Sequence, residues 1–194
     1  DGRGWRTWNN IGRWTKALLD GDGEYPWDMS SPSRAAQLRR VAVMNLKKEG
    51  GGSRASGSQL LDAVQMQHGK ILEEICLCDP GMIICCGLAS SGIKGNAALL
   101  KDHVLPVSTE WASFQSRTFD RDWQYYFTEI NKKQIPVISF CHPQVTNLNC
   151  SRGHENLFIP LFQDMLYIKE LFLKNSHIYR NSWVFCMIQD RFHP

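Results

Sequence analysis

Four short apolar runs constrain this chain more than any other feature: Val41–Asn45, Met82–Cys86, Ile135–Cys141 and Trp183–Ile188. None of them alternates polar with apolar residues, so a strand built from any one needs cover on both faces. Each is also shorter than an ordinary helix. The segments between them carry a helical period. Asn10 to Asp20 sets Ile11, Trp14 and Leu18 on one face, with Gly21 as a stop. Ser31-Pro32 opens a short helix through Leu38, because Ser caps well and Pro suits the first turn. A longer helix from about Ser58 to Cys78 buries Leu61, Val64, His68, Ile71 and Ile75 and halts at Asp79-Pro80-Gly81. A further helical stretch follows Gly87 through Leu100, and another spans Asn156 to Lys174 with Pro160 in its first turn. Glu49 to Gly57 is rich in Gly and Ser and reads as a loop, and Trp123 to Phe127 reads as an edge strand.

Apolar strands separated by amphipathic helices predict a three-layer α/β/α fold with a central, mainly parallel four-stranded sheet. At 194 residues and 43% hydrophobic, the chain can bury one substantial core, so residues 1–194 are expected to form one domain. The net charge of +3 suits local contact with nucleic acid, not a surface coated in cations. Seven cysteines are an odd number, and Cys85, Cys86, Cys141 and Cys186 sit inside apolar runs. They read as small buried hydrophobes of a reducing compartment. Cys76-x-Cys78 lacks the spacing of a metal-binding pair, so neither metal nor cofactor is expected. No apolar run reaches membrane-span length and no signal pattern opens the chain, which predicts a cytoplasmic protein; a monomer is expected. The first residue is Asp1, which fits a fragment, a processed chain or an engineered one.

In open α/β sheets ligands bind beyond the carboxyl ends of the strands. Three of the four expected strand ends carry chemically capable residues: Asn45, His142 and Asp190. That convergence predicts an active site.

The run Gln189-Asp190-Arg191-Phe192-His193-Pro194 resembles the water-activating motif of uracil-DNA glycosylases, which reads Gly-Gln-Asp-Pro-Tyr-His. Pro136 to Pro143 is similar to that family's strand ending in His-Pro-Ser. Val41–Asn45 resembles its base-reading strand, and Asp79-Pro80 followed by Met82 to Gly87 its segment of Pro, apolar strand and Gly. In the family the Gln-Asp strand comes first and is central to the sheet; here it comes last. Joining Pro194 to Asp1 restores the order. The resemblance therefore implies a circular permutation, whether natural, engineered or a matter of numbering, with Pro194 and Asp1 within a short loop's reach.

The resemblance implies a monofunctional DNA glycosylase that flips a uracil or modified pyrimidine from DNA and hydrolyses its N-glycosidic bond, in repair or in defence against phage with modified DNA. It assigns Asp190 to orient or deprotonate the attacking water. His142 then stabilises negative charge on the leaving base. The Asn45 amide pairs with the pyrimidine edge, Phe192 limits substituents at C5, and Gln189 belongs to the same motif. Trp5 or Trp8 offers a stacking platform. Lys47, Lys48 and Arg54 form a basic loop for phosphates, and Leu148, in the loop from Gln144 to Gly153, is the wedge candidate. Arg191 in place of the family's Pro, and Gln144 in place of its Ser, alter the pocket rim and the phosphate grip.

Each residue also has an ordinary explanation. Asp190 can be a solvated carboxylate, His142 a packed strand-end residue, Asn45 a turn former, the lysines a solvated loop and the tryptophans core. Two other functions stay open. A non-catalytic module of this fold would bind DNA or protein without releasing a base. A nucleoside N-glycosidase would act on free nucleosides and show no salt-dependent DNA affinity.

Overall fold

The computed structural model describes residues 3–21, 24–26, 29–48, 56–88, 95–105, 108–143, 158–172 and 185–189, with only the backbone described at 3–6, 158 and 185–189. The elements run α1 (Arg3–Leu19), α2 (Ser31–Leu38), β1 (Val41–Asn45), α3 (Gly57–Cys78), β2 (Met82–Cys86), α4 (Asn96–His103), β3 (Ala112–Gln115), β4 (Asp122–Ile130), β5 (Lys133–Phe140), α5 (Phe158–Phe172) and β6 (Phe185–Gln189).

Each of the four apolar runs contributes a strand to one sheet, but among the described residues the sheet is six-stranded and mixed, not four-stranded: its order is β1-β6-β2-β5-β4-β3. β1, β6, β2 and β5 pair in parallel, while β4 and β3 are added antiparallel. The addition comes from a tight hairpin. Asn131 and Lys132 both take positive φ, turning β4 directly into β5. Trp123 to Phe127 is accordingly an inner strand, and Ala112–Gln115 is the edge. β5 contains Pro136, and its ladder with β2 begins only at Val137, past the residue that has no N–H to give.

The inner strand β2 is buried at every position. Met82, Ile84 and Cys86 join one apolar cluster with Ile11, Trp14 and Leu18 of α1 and Leu161, Phe162 and Met165 of α5. Ile83 and Cys85 join a second cluster with Leu60, Val64, Ile71 and Ile75 of α3 and Leu99 and Leu100 of α4. Successive side chains of a strand leave by opposite faces, so each cluster marks one face of the sheet.

The helix starts follow their caps. α3 opens on a complete capping box between Ser56 and Gln59. It stops where Asp79 takes the left-handed conformation, φ 45°. The cap of α2 is Ser30, whose hydroxyl accepts from the Ser33 N–H at 3.3 Å, and not Ser31. Along α3, His68 is exposed, whereas Leu60 takes the place on the buried face expected of Leu61. α1 begins seven residues before the expected Asn10, which puts Trp5 and Trp8 on that helix.

Candidate functional site

The carboxyl edge of the parallel strands is flush. The ladder sets Asn45 of β1 opposite Gln189 of β6, Cys85 of β2 opposite Ile188, and Cys86 opposite Phe140 of β5. Asn45, Gln189, Cys86 and Phe140 thus end their strands in one row. His142 follows two residues beyond that row, half-buried between the buried Cys141 and Pro143. β1 and β5 are three strand spacings apart, about 14 Å. The width between Asn45 and His142 lies over β6 and β2.

Several contacts fix this edge. Gly87 continues β2 at φ +136°, where a Cβ would lie 2.9 Å from the Asn96 Nδ2. Its N–H donates to the Phe140 carbonyl at 2.9 Å, and its own carbonyl accepts from the Asn96 N–H at 3.1 Å. The Asn96 side chain donates to the Cys86 carbonyl at 2.8 Å. On the far side, the buried Asn10 of α1 donates from Nδ2 to the Pro143 carbonyl at 2.6 Å. Neither asparagine stands out in the sequence. Their one signal is a polar residue beside an apolar helical stripe, as Asn10 stands beside Ile11 and Trp14.

Asn45 is half-buried, and its Oδ1 is buried without a hydrogen bond from the described residues. A cleft of about 440 Å³ opens beside β1, lined among others by Asn45, Lys47 and Lys48 and by Glu74, Leu77 and Cys78 of α3. Lys48 is ion-paired with Glu74 across this cleft. Burial, and then the Glu74 charge, push the Cys78 thiol above its ordinary range, which keeps it protonated and weakly nucleophilic. The structure therefore gathers Asn45, Lys47 and Lys48 at the margin of the sheet. His142 is not among the residues lining that cleft.

Trp8 packs half-buried against the core cluster of α1 and α5. Asp190, Arg191, Phe192, Gln144, Leu148 and Arg54 lie outside the described residues, as do Pro194 and Asp1 and the side chains of Gln189 and Trp5. Among the described residues, no three His, Cys, Asp or Glu side chains come together as a metal site, and no helix is long and apolar enough to cross a membrane.

The fold and this row define an α/β protein whose polar strand ends share one edge of a mixed sheet. Set against protein-family models, curated proteins and solved structures, the chain matches none of them.

Proposed function

We propose that this chain is a DNA glycosylase with a permuted, uracil-DNA-glycosylase-like fold, three-layered and mainly parallel, that removes a flipped uracil or modified pyrimidine. One observation carries the reading: β6, late in the chain, runs between β1 and β2, with Gln189 opposite Asn45. A central strand ending in Gln-Asp is the feature that the resemblance requires, and its neighbours are the strands ending in Asn45 and in Cys86.

The chemistry follows from the residue types at those ends. Asp190, next after Gln189, orients or deprotonates water for attack at the sugar carbon, and its charge stabilises the oxocarbenium-like transition state. The C–N bond breaks, and the electron pair leaves with the base. His142 donates a hydrogen bond to the pyrimidine O2 as that charge develops. The unsatisfied Oδ1 of Asn45 supports its part: a pyrimidine N3–H supplies the missing donor, and the amide NH2 meets the adjacent carbonyl.

The test is incubation with oligonucleotides carrying uracil or a panel of modified pyrimidines, scored for alkali-labile abasic sites. At least one base is expected to be released. Asp190→Asn is expected to lower that release by about 10²–10⁴-fold with DNA binding kept. Binding without release from any member of the panel overturns the enzymatic reading. Release from free nucleosides alone overturns the DNA substrate.

A further inference from the structure

Arg121 ends the loop between β3 and β4, and its position follows from strand register. In the β4–β5 ladder Tyr125 faces Ile138. Continued toward the carboxyl end of β5, that register brings Trp123 to Phe140 and Arg121 to His142. The rings of Trp123 and Phe140 lie 4.3 Å apart, as the continuation requires. The positive charge of Arg121 also acts on the Cys141 thiol, lowering a pKa that burial and then Cys86 raise. A cation therefore stands at the carboxyl edge of the sheet, beside the strand end that leads into His142.

Hydrogen bonds brace the loop carrying it. The Ser116 hydroxyl accepts from the N–H groups of Thr118 and Phe119 and donates to the buried carboxylate of Asp164 at 2.6 Å. The Trp123 indole donates to the same carboxylate at 2.7 Å, and the Ser116 N–H donates to the Arg121 carbonyl at 3.0 Å. The guanidinium lies 4.5 Å over the Trp123 ring. Asp164 is saturated by these neighbours, and Arg121 makes no ion pair among the described residues. Its Nε is shut off from solvent without a hydrogen-bond partner there. A guanidinium offers five donors in a plane that fits phosphate. One held in place over an indole, with no ion-pair partner among the described residues, is preorganised for an oxyanion at its terminal amino groups.

We propose that Arg121 is the phosphate-binding residue of the strand-end site, its guanidinium taking a phosphate oxygen of the nucleotide whose base reaches His142. This rests on the glycosylase reading for the nucleotide and on the geometry alone for the anion.

The test uses the full chain, with the Trp123 indole N–H resonance as a reporter lying beneath the guanidinium. Wild type, Arg121→Lys and Arg121→Gln are titrated with inorganic phosphate, a pyrimidine nucleoside, its monophosphate and a single-stranded oligonucleotide. Unfolding curves identify any variant that has lost its fold. In wild type, phosphate, monophosphate and oligonucleotide are expected to shift the resonance, while the nucleoside shifts it little. Arg121→Gln is expected to weaken oligonucleotide binding roughly ten- to a hundredfold. It should also make the slope of log affinity against log salt shallower by about 0.7–0.9. Arg121→Lys retains part of the binding. A folded Arg121→Gln that binds and releases bases like wild type overturns the Arg121 assignment and leaves the glycosylase reading standing. Phosphate binding lost in Arg121→Gln, with no base released from any oligonucleotide, overturns the glycosylase reading and leaves the anion site standing. A reporter that no phosphate compound moves in wild type overturns the anion site.

Discussion

The side-chain amide of Asn10 donates to the carbonyl oxygen of Pro143 at 2.6 Å, joining two residues 133 positions apart. Both are buried. The bond ties the middle of α1 to the residue after His142, so the first helix sets where the segment beyond β5 leaves the sheet. Arg13 supports it from the other side, reaching the Asn10 Oδ1 at 3.4 Å and the Pro26 carbonyl at 3.1 Å.

Asn10→Ala leaves that carbonyl buried without its donor. The expected cost is about 1–3 kcal/mol of folding stability, read from urea unfolding. Asn10→Asp keeps the shape and the Arg13 contact but loses the donor, and it should cost at least as much. An Asp variant as stable as wild type would mean that the bond contributes nothing.

Gly87→Ala places a methyl group where φ is +136° and 2.9 Å from the Asn96 Nδ2. Backbone strain of this kind costs about 1–3 kcal/mol. Part of the damage comes from pushing Asn96 off the Cys86 carbonyl. The double variant with Asn96→Ala should therefore lose less than the two single losses added together. Strict additivity would argue against the contact.

Asp164 gives a dependence on pH. Burial raises its carboxyl above the ordinary 3.8, against the opposing hydrogen bonds from Ser116, Trp123 and the Arg117 N–H. An acid with a raised folded pKa favours the folded state most at low pH. That advantage declines as pH rises past the unfolded value and is gone above the folded one. Relative to Asp164→Asn, wild type should therefore lose ground as pH rises through and above the ordinary 3.8. Parallel stability profiles across that range would contradict the raised pKa.

Asn45→Asp exchanges the amide donor for an acceptor at the end of β1. Under the glycosylase reading it should shift or abolish base choice across the oligonucleotide panel, while His142→Ala slows release of every base. Unchanged preference in Asn45→Asp would move base recognition elsewhere.

The strands that sequence reveals are those whose burial needs no partner to explain it. Met82–Cys86 must be covered on both faces, and it is. β4 alternates only from Tyr126 through Thr128 to Ile130, buried on one face, whereas Trp123 is buried on the other. Its inner place in the sheet depends on a turn made by Asn131 and Lys132, which lack the Gly that usually marks such a turn. Ser30 and Ser31 are chemically equal as caps, and only backbone geometry separates them. Asn10, Asn96 and Arg121 were illegible for one reason: a polar side chain draws its meaning from a carbonyl or a ring distant in sequence. The place of Asn45 at the carboxyl end of its strand was legible because topology followed from the apolar runs; Asp190, another of the expected strand-end residues, lies outside the described residues.

The place of β6 has a consequence for how the molecule is made. Asn45 leaves the ribosome about 140 residues before Phe185 and the rest of β6, the one strand among the described residues that pairs with β1. At about 5–20 residues per second, β1 waits between roughly seven seconds and half a minute with both edges open. Meanwhile β2, β5, β4 and β3 can already join, since each finds its neighbour without β6. A nascent chain thus passes through a state in which a four-stranded remainder offers the edge of β2 to any extended segment nearby. Newly made protein is more exposed to wrong pairing than finished protein, because that edge stays open until β6 arrives.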